Sequence, residues 1–136
     1  MGLYEKIASG MSANKLFLDV TANNITNMNT TRTEQGGPYQ RQSVVFKEKG
    51  SFNEFFQQET GAGVEVESVR QDSSFRTVYD PDHPDADDKG FVKYPSINIT
   101  AEMTNMVMAQ RGYGASVTLF NQVKELNDKT MQIGKG

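Results

Sequence analysis

A chain of 136 residues holds one domain of ordinary size, and its 36% apolar share supports a modest core without a deep ligand pocket beside it. Fourteen Lys plus Arg against seventeen Asp plus Glu leave a net charge of -3, which provides no electrostatic footprint for nucleic acid or an anionic membrane. The absence of cysteine excludes disulfides, thiolate metal sites and cysteine nucleophiles.

The start, Met1-Gly2-Leu3-Tyr4-Glu5-Lys6, lacks the basic and apolar run of a cleaved secretory leader, and Lys6 stands where a myristoylation motif needs Ser or Thr. No stretch approaches eighteen apolar residues, so direct membrane insertion is not expected. From Leu3 to Met28 there is no Pro. Tyr4, Ile7, Met11, Leu18, Ala22 and Ile25 recur at helical spacing on one face, interrupted by Asn14. Leu16, Phe17 and Val20 widen the stripe beyond a two-stranded seam, so the predicted helix, about 39 Å long, has apolar neighbours on more than one side. Asn27 and Asn29 suit its end, because Asn tolerates left-handed geometry and bonds nearby backbone. Asn23 and Asn24 lie deeper, as a solvated face or as polar contacts across a subunit interface.

Residues 32–96 form the predicted insert between an N-terminal part, 1–31, and a C-terminal part, 97–136. All four prolines and half of the twelve glycines fall between Asn29 and Pro95, the punctuation of turns. Val44 to Phe46, Val64 to Val69, Phe75 to Tyr79 and Phe91 to Tyr94 read as short antiparallel strands. Gly36-Gly37-Pro38 and Gly61-Ala62-Gly63 read as loops. Phe52 to Phe56 fits a short helix or an aromatic hinge. Glu65 and Glu67 share one face of a half-exposed strand.

From Ile99 to Ile133 the helical pattern returns with Met103, Met106, Tyr113, Val117 and Phe120, continued by Leu119, Val123, Leu126 and Ile133. An unbroken helix here is about 52 Å long, whereas a compact globule of this chain length is only about 37 Å across. Gly112 and Gly114, each costing roughly 1 kcal/mol in a helix interior, are the positions that would break it. Two such helices joined by a small insert cover only part of each other's apolar faces, so the remainder calls for other molecules. The methionines Met103, Met106, Met108 and Met131 suit a gap-filled core or an adaptable surface.

Chemistry-bearing clusters are few. Asp80, Asp82, Asp85, Asp87 and Asp88 surround His83, the only histidine. Counted as a calcium loop from Asp85, this stretch has Lys89 at the fifth position and Ser96 at the twelfth, where a bidentate Glu is required. A zinc site lacks a second His or Cys. A proline-stiffened turn accepting Lys or Arg from a neighbour is the better reading. No serine sits in a nucleophile elbow, and the sequons Asn24-Ile25-Thr26, Asn29-Thr30-Thr31 and Asn98-Ile99-Thr100 read as coincidence. No cofactor, metal or catalytic residue is expected.

The ladder Thr21-Ala22-Asn23-Asn24-Ile25-Thr26-Asn27-Met28-Asn29-Thr30-Thr31 resembles the N-terminal signature of bacterial flagellar rod and hook proteins. Gly36-Gly37-Pro38-Tyr39-Gln40-Arg41, the acidic run Tyr79 to Asp87 with Gly90-Phe91-Val92, Tyr94 to Asn98, Glu102-Met103 and Arg111-Gly112-Tyr113 are similar to proximal rod proteins in particular. The resemblance runs from about Leu3 to Gly134, departing at Thr26 and Met28, where alanine is usual, and at Gly112 and Gly114. It implies a mainly α protein with a small antiparallel β-hairpin insert, its long terminal helices side by side, as in a coiled coil, within a tubular assembly. The implied function is a structural subunit of the proximal rod that transmits torque and walls the export channel. The implied partners are other rod subunits, copies of itself, and the base near the membrane ring and export gate. The resemblance further implies export by the flagellar type III route to the periplasmic side of the basal body. Ile7, Met11, Leu18, Ala22, Asn24, Ile25 and Asn27, with Met103, Met106, Tyr113, Val117, Phe120, Val123 and Leu126, are the expected subunit-packing residues. The alternative is a self-contained α+β binding module whose acidic loop takes a divalent cation or a basic ligand.

Overall fold

The computed structural model describes residues 2–49 and 63–134. Helix α1, Leu3–Thr26, is followed by strands β1, Arg41–Lys49, and β2, Gly63–Asp72, then β3, Phe75–Tyr79, and β4, Phe91–Pro95, and finally helix α2, Ile99–Gly134. The sequence-based expectation for Phe52 to Phe56, and for the loop at Gly61 and Ala62, lies outside the described residues.

The two helices run antiparallel. Tyr4 stacks edge-on against Phe120 with ring centroids 5.4 Å apart, Gly10 faces Ser116, and Asn14 faces Gly112. At the far end Asn24 meets Glu102. This pairing explains why Gly112 does not break α2, which is continuous over its 36 residues. A Cβ at Gly112 would stand 2.7 Å from Asn14 Oδ1, so glycine provides the notch that lets α1 approach. Gly114 meets nothing and is simply carried by the helix. At about 54 Å, α2 exceeds the 24-residue α1, about 36 Å long, by several turns.

The helix ends are set by asparagines. Asn27 caps α1 with φ -102° and ψ 13°, outside the left-handed region expected from its residue type. Its side-chain amide instead donates to Asn23 O at 2.8 Å, and its own Oδ1 accepts from Thr30 Oγ1 at 3.1 Å. At the start of α2, Asn98 Oδ1 accepts from the backbone N–H groups of Thr100 and Ala101 at 3.0 and 3.2 Å, satisfying two donors of the first turn.

The insert is two hairpins rather than one sheet. β1 and β2 pair antiparallel from Arg41↔Asp72 to Lys49↔Gly63, with a bulge between Val45 and Phe46. Phe46 packs edge-on against Phe17 of α1, ring centroids 5.7 Å apart, and so fastens this hairpin to the helix. The exposed pair Lys47–Glu65, at 2.9 Å, adds little. β3 and β4 pair from Phe75↔Pro95 to Tyr79↔Phe91, and Val92 of β4 is fully buried. Among the described residues the buried apolar set is Ile7, Ala13, Val20, Val92 and Ala109. Only four of these lie in the helices and two of the four are alanines, so the seam between helices is thin.

The acidic loop closes the second hairpin by internal bonds. Asp87 Oδ1 accepts from Lys89 N and Phe91 N, both at 2.9 Å, and His83 Nδ1 accepts from Asp85 N at 3.0 Å. Gly90 has a φ of +87°, and a Cβ there would lie 2.9 Å from Tyr79 Cε2. Replacing Gly90 with alanine is therefore expected to cost about 1–3 kcal/mol, read as a lowered urea midpoint with loss of hairpin amide protection.

Asp85 ties the loop to the segment after α1. Thr31 Oγ1 donates to its Oδ2 at 2.6 Å, and Arg32 Nη2 lies 2.6 Å from its Oδ1. The arginine reaching Asp85 thus belongs to the same chain. The Thr31 hydroxyl first, then the Arg32 charge, hold the Asp85 carboxyl below its ordinary value, while partial desolvation opposes them. Asp87 is lowered too, chiefly by the Phe91 N–H. Both anchors stabilise the fold above the unfolded carboxylate value, about 4, and are lost as pH falls through the depressed folded values. In Thr31→Val, NMR titration is expected to return Asp85 toward the ordinary value and leave Asp87 unmoved.

Candidate assembly surface

Where α1 ends beside the start of α2, a polar cluster joins three elements. Asn24 Oδ1 accepts from Tyr39 OH at 2.8 Å and from Gln42 N at 2.9 Å. Its Nδ2 donates to Gln42 O at 2.7 Å and to Glu102 Oε2 at 3.3 Å. Glu102 Oε1 is bonded by Arg41 Nε. Asn24 and Glu102 are each 1% exposed, so a carboxylate and an amide are held out of water with their bonding capacity met in place. Burial first, then the Glu102 charge, push the Tyr39 phenol up, against the opposing Arg41 charge. Asn24, one of the expected subunit-packing residues, has its polar atoms engaged within the chain. A small cavity of about 250 Å³ beside the cluster is lined by Phe17, Val20, Arg41, Val44 and Glu102 among others.

The other expected packing residues divide by position. Ile7 is buried in the helix seam. Met11, Leu18, Ala22, Ile25 and Asn27 on α1, and Met106, Tyr113, Val117, Phe120 and Val123 on α2, are half-buried. Met103 and Leu126 are exposed, at 56% and 65%. Met11, Tyr113 and Phe120, with Ala8, Ser12 and Lys15, line a shallow, mostly apolar groove of about 340 Å³ that both helices build. Beyond Val123, which lies near the start of α1, every residue from Lys124 to Gly134 is exposed. This overhang of about 16 Å carries Leu126, Met131 and Ile133, the last 82% exposed.

Nothing in this arrangement forms a catalytic constellation: the polar groups brought together are bonded to one another. Among the described residues no group of three or more His, Asp or Glu is placed to hold a metal ion, and no helix is long and apolar enough to cross a membrane.

Two family models match the ends that carry the surface. One, described as flagella basal body rod protein, matches residues 7–32, and the other, flagellar basal body rod FlgEFG protein C-terminal, matches residues 88–133. The flagellar basal-body rod protein FlgC of Borreliella burgdorferi is 38% identical, with 100% of each chain covered. The chain belongs to the FlgC family of flagellar basal-body rod proteins. FlgC of Bacillus subtilis is 36% identical over 94% of this chain and 93% of its own. FlgC of Salmonella typhimurium is 32% identical over 99% and 98%. As a FlgC-family member the chain is a structural subunit of the flagellar basal-body rod, assembling with other rod components, and not an enzyme.

That identity gives the exposed overhang and the shared groove their setting, because a rod subunit has neighbours along its length. Sequence reasoning missed Arg41, Tyr39 and the role of Glu102 in this FlgC-family chain. The signal available was weak: one acidic residue in the first turn of α2 and one arginine after the Gly36-Gly37-Pro38 turn.

Proposed function

We propose that the chain sits in the proximal part of the rod, joining the base near the membrane ring and export gate to the more distal rod. In this reading it transmits torque, forms part of the wall of the export channel, and reaches the periplasmic side by the flagellar type III system. Its partners are other rod subunits and copies of itself. The observation that carries the reading is the overhang of α2: from Lys124 onward no part of α1 covers Leu126, Met131 or Ile133. Apolar side chains on a single helix gain little stability from isolated helix formation and need a partner surface. The groove built by Met11, Tyr113 and Phe120 offers a second such face.

The test uses the fact that the chain has no cysteine. Leu126→Cys, expressed in cells lacking the native subunit, is to be cross-linked in isolated basal bodies with a short heterobifunctional maleimide–benzophenone reagent, whose maleimide takes the introduced thiol and whose photoactivated ketone inserts into a neighbour's C–H bond. Adducts to rod subunits or to a second copy are expected through the thiol of this variant, and none when cysteine replaces the exposed Asp82 of the acidic loop. Equal labelling of both positions without adducts would count against the overhang as a packing surface.

A further inference from the structure

We propose that the Asn24–Glu102–Arg41 cluster and the Asn14–Gly112 notch together form a register lock for the helix pair, fixing how far α2 projects past α1. The inference rests on the overhang being an assembly surface, because projection matters only if that surface is used.

The apolar seam is poorly suited to choosing a register. Two of its four buried members, Ile7, Ala13, Val20 and Ala109, are alanines, and the half-buried Met11 and Met106 adapt to changed surroundings. A slip of one turn, about 5.4 Å, trades one such contact for another. The polar positions do not tolerate it. Glu102 would face Val20 or Met28 in place of Asn24, leaving a buried carboxylate and a buried amide without each other. Asn14 would leave the only α2 glycine whose added Cβ would collide with it, and would meet a side chain at Met108 or Ser116 instead. Asn14 to Asn24 on α1 spans the same length as Glu102 to Gly112 on α2, about 15 Å, so one slip breaks both points at once. A buried polar group that specifies register is the best-attested use of such groups in paired helices.

Arg41 extends the lock to the insert. It stands with Gln42 as the first residues of β1, and Gln42 brackets Asn24 with both its N–H and its carbonyl. The helix pair therefore closes in register only when the start of β1 is seated.

The test is disulfide trapping in the purified full chain at low concentration. Gly10→Cys with Ser116→Cys reports the native register, since a Cβ at Gly10 lies 3.8 Å from Ser116 Oγ. Lys6→Cys with Ser116→Cys, and Lys6→Cys with Lys124→Cys, report slips of one turn in opposite directions. With the lock intact the native pair should dominate. Adding Asn24→Ala with Glu102→Ala should raise the ratio of shifted to native disulfide at least tenfold. Asn14→Ala, which disturbs no buried charge, should raise it severalfold by itself. An unchanged ratio in both backgrounds, or all three disulfides failing together, would assign these residues to stability alone and overturn the lock. Rod assembly of the same variants is scored separately: a chain that keeps its register yet builds no rod upholds the lock and counts against the assembly surface.

Discussion

Arg41→Ala should destabilise the folded chain by about 3–5 kcal/mol, the usual cost of removing one partner of a buried ion pair. Glu102 is 1% exposed, whereas the Arg41 side chain retains 29% exposure. The asymmetry decides which partner to delete. Without Arg41 the Glu102 carboxylate stays in the seam with only the Asn24 amide beside it; without Glu102 the guanidinium can turn to water. Glu102→Ala should accordingly cost less than Arg41→Ala. Adding Glu102→Gln to Arg41→Ala should recover a large part of the loss, because a neutral amide carries no uncompensated charge. Urea unfolding of the three variants measures this. Equal losses in the two single alanine variants, with no recovery in the double, would mean that the pair is effectively solvated.

The second large effect concerns assembly. Leu126→Asp should abolish rod completion and swimming while changing the stability of the isolated chain by no more than about 0.5 kcal/mol, the range of substitutions at exposed positions. In a packed rod the same carboxylate would be buried without a partner, at a cost of several kcal/mol. Phe120→Asp also blocks assembly in this account but is a poorer probe, since Phe120 packs on Tyr4 within the chain. Leu18→Asp lies between the two. Basal bodies counted by electron microscopy, beside urea midpoints of the purified variants, separate the outcomes. Normal rods built from Leu126→Asp would remove the overhang from the assembly surface.

The long elements were legible because their signals are local. The stripe through Tyr4, Ile7, Met11, Leu18, Ala22 and Ile25 announces α1, and the prolines between Pro38 and Pro95 confine the strands. What was not legible depends on partners far apart in the chain. Asn24 looks the same in sequence whether it faces water, a neighbour or Glu102, and only the fold brings Tyr39, Gln42 and Glu102 to it. Gly112 carries a breaker's propensity, yet its missing Cβ is what admits Asn14. Asp85 reads as one of several solvated aspartates until Thr31 and Arg32 are placed against it. Periodicity puts the packing residues in one class, although Ile7 and Asn24 are consumed inside the chain and Leu126 is left outside.

Hydrogen exchange by mass spectrometry, comparing the dilute purified chain with assembled rods, bears most directly on the claim that α2 is completed by neighbours. In the free chain, amides of residues 124–134 should exchange within the first time points while those of residues 100–120 are slower, and in rods both stretches should be protected. Slow exchange across the whole of α2 in the dilute monomer, unchanged on assembly, would contradict it.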